Sequence, residues 1–127
     1  MNAPDAKEHV VIYENEKKVT VVKDTKIKNG AILYFAKEDH TLGNLLRISL
    51  LRDKDVLFAG YRMPHPLQFV CEVKVQTANS DVKPLDVVID SLEALNVEFV
   101  TLENRFKAAL GMTHSREAME DVLQVRF

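Results

Sequence analysis

Apolar residues fall in short runs near the start of the chain and in helical spacings later. Val10 to Tyr13 and Val19 to Val22 are two such runs, parted by Glu14-Asn15-Glu16-Lys17-Lys18. Polar punctuation between β-branched runs predicts two short strands or a loose hairpin. Asn29-Gly30 is a turn signal, and Ala31 to Phe35 behind it is rich in strand formers. Thr41 to Arg52 reads as a helix. Thr41 is placed to act as its N-cap, its hydroxyl accepting from a free backbone N–H of the first turn. Glu38 and Asp39 stand just before, where negative charge suits the positive end of the helix dipole. At about 100° per residue, Ile48, Leu45, Leu42, Ser49, Leu46 and Leu50 span an arc of about 200°, with Leu51 on the far side near Asn44. A helix covering one core face needs a stripe only a little over ~100° wide. The excess points to cover from two directions: the helix's own sheet, and something else.

Strand signals return at Leu57 to Met63 and Phe69 to Gln76. In the second, Phe69, Cys71, Val73 and Val75 alternate with Val70, Glu72, Lys74 and Gln76. That is a half-buried antiparallel strand with a wet face. Pro64-His65-Pro66-Leu67-Gln68 between them is a stiff connection, because each proline fixes φ and removes an N–H. Pro84 suits a first helical position. From there Leu85, Val88, Leu92, Leu95, Phe99, Leu102, Phe106 and Ala109 step three and four apart, a heptad-type seam held to Gly111 as C-cap. Such a helix is about 40 Å long, against about 20 Å for strands this short. Half the seam is therefore expected to lack a partner within its own domain, and Val97 and Val100 widen the apolar surface. The order is strand, strand, helix, strand, strand, helix (ββαββα). The expected fold is α+β: a two-layer sandwich of an antiparallel sheet with two helices on one face and a long C-terminal helix. Residues 1–111 are read as one domain, and 112–127 as an extension, a short helix or disordered.

The 127 residues set a prior of one domain. Hydrophobic residues at 46% and charged ones at 28% exclude a largely disordered or collagen-like chain. No apolar run approaches the roughly 20 residues of a membrane-spanning helix. The net charge is 17 − 19 = −2, without the basic excess expected of a free-standing DNA-binding domain. A single cysteine, Cys71, fits a reducing compartment and excludes an internal disulfide. The polar opening, Met1 to Asp5, does not read as a signal peptide.

No catalytic constellation emerges, so neither catalytic nor metal-binding residues nor a cofactor are expected. Glu38-Asp39-His40 has residue types fit for metal or acid–base work, but adjacent side chains diverge and no second cluster stands at ligand spacing. First-turn charge with a capping histidine is the better reading. His9, His65 and His114 are isolated, and Cys71 reads as a small core residue. No Gly-rich loop is present to cradle phosphate. Lys17, Lys18, Lys23, Lys26 and Lys28 make a basic trace, read as solvated surface. Tyr13, Tyr34 and Tyr61 do not alternate with basic residues as a stacking platform would. Gly43, inside the first helix, costs about 1 kcal/mol relative to Ala. It marks either tolerated local weakness or the close approach of another backbone.

The run Lys37-Glu38-Asp39-His40-Thr41-Leu42-Gly43-Asn44-Leu45-Leu46 resembles the signature of the small α-like subunits of multisubunit RNA polymerases. Val56-Leu57-Phe58-Ala59-Gly60-Tyr61, Pro64-His65-Pro66-Leu67 and Val75-Gln76-Thr77 resemble the same family in the same order. The resemblance covers Met1 to about Phe106, and the opening Met1-Asn2-Ala3-Pro4 points to the eukaryotic RNA polymerase II branch. It implies the same two-layer fold and a non-catalytic, nuclear subunit that heterodimerises with the α-like third-largest subunit. That dimer is the platform on which the large subunits assemble, so the second-largest subunit and small assembly subunits are implied partners. Neither sequence-specific DNA contact nor a membrane is implied. The family's dimerisation motif maps onto Thr41, Leu42, Gly43 and Asn44, which favours the close-approach reading of Gly43. With the uncovered seam, the expected partner interface comprises Thr41, Leu42, Gly43, Asn44, Leu45, Leu46, Phe99, Leu102 and Phe106. Lys28 and Lys83 depart from the family pattern, standing where relatives often carry proline and serine. The alternatives are the paralogue shared by polymerases I and III, and an unrelated homodimeric interaction module using the same seam.

Overall fold

The computed structural model describes residues 3–113. Its elements are β1 (Val19–Lys23), β2 (Gly30–Ala36), α1 (His40–Leu51), β3 (Val56–Arg62), β4 (Val70–Thr77) and α2 (Pro84–Thr113). The four strands form one antiparallel sheet in the order β1-β2-β4-β3. Among the described residues, those up to Leu92 form one compact unit, and those from Glu93 belong to a second.

Pleat and register together make the core. Leu33 lies opposite Val73, and Val73 opposite Tyr61; Ala31, Val75 and Ala59 form the next row, and Phe35 pairs with Cys71. Side chains alternate across a strand, so these rows share one face. Ala31, Leu33, Phe35, Ala59, Cys71, Val73 and Val75 are buried there. α1 packs on β3 and β4 and buries Gly43, Leu46, Ser49 and Leu50. Leu46 and Leu50 are fully enclosed, each contributing about 1.5–3 kcal/mol through removal from water. The start of α2 adds Val87, Val88 and Ser91 to the same core. The Ser49 hydroxyl donates to the Ser91 carbonyl at 3.5 Å, marking where the two helices meet.

Val10 to Tyr13 is not a strand. The N-terminal segment satisfies its backbone locally: Lys7 N–H donates to the Asp5 carboxylate, Val10 and Val11 N–H to the Lys7 carbonyl, and Tyr13 N–H to Glu16. With those groups committed to turns, the run cannot enter a ladder, and β1 pairs with β2 instead. The connection between them is organised by Asp24. Its Oδ1 accepts from the N–H groups of Lys26 and Ile27 at 2.8 and 3.2 Å. Its Oδ2 lies 2.8 Å from the Lys74 ammonium. Asn29 takes a left-handed conformation, φ 58°, which lets the turn close before Gly30. Glu72, placed by alternation on the wet face, is only 8% exposed, because Arg62 closes over it with two hydrogen bonds.

The hydrogen bond from Lys74, followed by that from Lys26, holds the Asp24 carboxyl below its ordinary value of 3.8. A depressed folded-state pKa contributes stability that is complete above the unfolded pKa and lost as pH falls through the folded one. Urea midpoints of the wild type should therefore fall as the solution is acidified below about pH 4. Asp24→Asn should start less stable at neutral pH and lack that share of the acid loss. Parallel acid limbs for the two proteins would refute the role.

Candidate partner interface

α1 begins one residue earlier than its sequence indicates, and its cap is Asp39 rather than Thr41. Asp39 is extended, and its carboxylate accepts from Thr41 N–H at 2.9 Å. That bond, with one from the Thr41 hydroxyl, lowers the Asp39 pKa. Aspartate wins because it precedes the helix, where an N-cap side chain reaches the free N–H groups. His40 leans its Nδ1 to the Tyr61 hydroxyl, 3.1 Å away. Cys71 is fully buried, and burial raises its thiol pKa, with Glu38 and Asp39 adding to the shift. Among the described residues no group of three or more His, Cys, Asp or Glu side chains is placed to hold a metal ion.

The residues of the expected interface divide sharply. Gly43 and Leu46 face the chain's own sheet. A Cβ on Gly43 would lie 2.5 Å from Tyr61 Cδ2 and 2.8 Å from Cys71 Sγ. The close approach that Gly43 permits is therefore made by its own β3 and β4. On the other side of α1, Thr41 and Asn44 are exposed, and Leu42 and Leu45 are half-buried. Ile48 and Leu51, at 39% and 49% exposure, extend the outward apolar surface. The two-sided character read from the broad apolar arc thus has a definite form: Leu46 and Leu50 inward, Leu45 and Ile48 outward.

α2 departs from the expected seam. The residues it buries are Val87, Val88 and Ser91, while Leu85, Ile89 and Leu92 are 41%, 44% and 37% exposed. The inward stripe thus includes the small Ser91 rather than Leu92. A competing spacing through Val87, Val88, Ser91 and Leu95 is present in the sequence but is less apolar than the seam. Ile89 lies outside the heptad positions, so the seam does not mark it. From Glu93 to Gly111 every side chain is exposed apart from the half-buried Leu95 and Leu110. Phe99, Leu102 and Phe106 are 54%, 63% and 65% exposed, and Val97 and Val100 64% and 46%. Gly111 does not end the helix, which continues to Thr113, and its φ is not positive. Residues 114–127, most of the expected C-terminal extension, lie outside the described residues.

Large apolar side chains in such number along two helices are unusual for a monomer surface, where patches above a few hundred Å² mark interaction sites. Residues 30–105 match the RNA polymerase Rpb3/Rpb11 dimerisation domain. The chain belongs to this family. It is 51% identical over 84% of its length to DNA-directed RNA polymerase II subunit rpb11 of Dictyostelium discoideum, covering 88% of that protein. It is 46% identical over 87% of its length to a probable RPB11 subunit of Caenorhabditis elegans, again covering 88%. Against the RPB11 subunit of Schizosaccharomyces pombe the identity is 42%, over 75% of this chain and 76% of that one. Among solved structures, subunit L of the Thermoplasma acidophilum RNA polymerase superposes with a TM-score of 0.63 at 21% identity, covering 79% of this chain and 97% of that one. That likeness establishes the shared fold: a four-stranded antiparallel sheet with two helices, the second of them long.

Proposed function

We propose that the chain acts as a non-catalytic small subunit of DNA-directed RNA polymerase II, pairing with an Rpb3-type subunit. The observation that carries this reading is the run of exposed apolar residues on α2, joined to membership of a dimerisation family. Leu45 and Ile48 of α1 and Leu85, Ile89 and Leu92 of α2 are contact residues in the first unit, and Phe99, Leu102 and Phe106 are contact residues in the second. Thr41, Leu42 and Asn44 frame the start of α1, while Gly43 and Leu46 set how closely that helix lies on its sheet. The dimer in turn is a platform for the second-largest subunit and small assembly subunits, in the nucleus, where polymerase II works. The RPB11 names of the relatives favour this over the paralogue shared by polymerases I and III.

The isolated chain should self-associate, because water-exposed apolar surface of this extent drives association. Co-expression with an Rpb3-type subunit should give a stable one-to-one complex. Light scattering checks both, and a soluble folded monomer at high concentration counts against the proposal. The isolated chain should also show neither nucleotide addition nor tight duplex binding at physiological salt. Nanomolar affinity for DNA in an anisotropy titration would overturn that expectation.

A further inference from the structure

Five lysines and one aspartate lie between residues 17 and 28 of a chain whose net charge is −2. Lysines flanking an edge strand commonly block unwanted strand pairing, and Lys18 and Lys23 at the ends of β1 fit that role. It does not account for Lys26 and Lys28, or for Lys83, which comes from a different part of the chain. The fold brings Lys23, Lys26, Lys28 and Lys83 onto one open groove of about 990 Å³, between the β1–β2 connection and the start of α2. All four are exposed, and none has an ion pair among the described residues. Asp24 is the one acidic residue lining the groove, and Lys74 already neutralises it. The remaining lining sets aliphatic side chains, among them Val21, Ile27 and Val82, beside the polar Thr25, Asn29 and Ser80.

We propose that this groove docks an acidic segment of another protein, one carrying an aliphatic side chain among its carboxylates. Charge complementarity supplies the attraction: four unpaired ammonium groups converge where a partner's carboxylates would be steered and held. The aliphatic lining selects peptide over nucleic acid. Single strands are held by stacking bases on aromatic rings, and no aromatic residue lines the groove. The site lies wholly within residues 21–85, and Leu85 is the one residue it shares with the proposed dimer contact.

The test tethers the full 127-residue chain at low density on a sensor surface, where self-association is suppressed. The probe is a twelve-residue peptide alternating glutamate and leucine. It is compared with a glutamate–serine version and with a twelve-nucleotide thymidine oligomer. Binding of the glutamate–leucine peptide is expected to weaken at least tenfold in a variant combining Lys26→Glu, Lys28→Glu and Lys83→Glu. It should be unchanged in Lys54→Glu, an exposed lysine elsewhere. Val21→Ser and the glutamate–serine peptide should each lower affinity severalfold, and the oligomer should bind at least tenfold more weakly. Circular dichroism of every variant confirms the fold. Equal loss in Lys54→Glu, no dependence on Val21 or on leucine, or preference for the oligomer would each overturn the proposal.

Discussion

Gly43→Val should destabilise the protein by about 3 kcal/mol, the upper part of the usual range for overpacking. On a fold of this size that is a fall in Tm of more than about 10 °C. The first added carbon already sits 2.5 Å from the Tyr61 ring and 2.8 Å from the Cys71 sulfur, and valine adds two methyl groups beyond it. Neither neighbour can yield easily. Cys71 is completely enclosed, and the Tyr61 hydroxyl is engaged by His40. Removing glycine from a helix interior gains back less than about 1 kcal/mol, and less for valine than for alanine, so the clash wins. Urea denaturation measures the loss. Combining Gly43→Ala with Tyr61→Ala should show a favourable coupling above about 1 kcal/mol, because truncating the ring opens the space the methyl needs. A contact made directly with a partner backbone predicts the opposite outcome: unchanged stability of the isolated chain and lost pairing.

The contrast explains what can be read from the sequence and what cannot. β4 alternates so cleanly from Cys71 to Val75 that the pleat alone assigns its faces, and the structure buries Cys71, Val73 and Val75. The breadth of the apolar arc on α1 likewise announces a helix with two faces. Val10 to Tyr13 misleads because strand propensity says nothing about competition from Asp5 and Glu16, whose carboxylates hold local N–H groups. α2 misleads more instructively. A heptad count ranks positions by apolar character, yet the stripe that α2 buries runs through Val87, Val88 and the small Ser91, with Leu92 left outward. The leucines displaced from the core thereby become outward surface, so the error in the seam and the extent of the candidate interface have one cause. Gly43 shows the same limit: its spacing announces a close approach, but only the tertiary fold says that the approaching atoms belong to Tyr61 and Cys71.

Leu102→Glu and Phe106→Glu should abolish pairing with an Rpb3-type partner while leaving the chain folded. At 63% and 65% exposure, both side chains have water beside them in the isolated chain, so a carboxylate there stays hydrated. Glutamate is also a good helix former. They lie one helical turn apart, and i and i+4 positions share a face, so one partner surface would cover both. In the complex each carboxylate must then be desolvated, or the contact must open around it, and either costs several kcal/mol. A loss of about 3 kcal/mol is already more than a hundredfold in affinity. Glu103→Ala is the control. Glu103 sits beside these residues, is paired with Lys107 at 2.7 Å and lies largely in water, where such pairs contribute little. It should change affinity by less than about threefold. Co-purification and isothermal titration read the pairing, and circular dichroism reads the fold. The expected pattern is lost complex with a retained helical spectrum in both glutamate variants. If the variants instead unfold and their residual folded fraction still pairs normally, Leu102 and Phe106 support the chain's own fold and the contact must be sought on α1 and the first turns of α2.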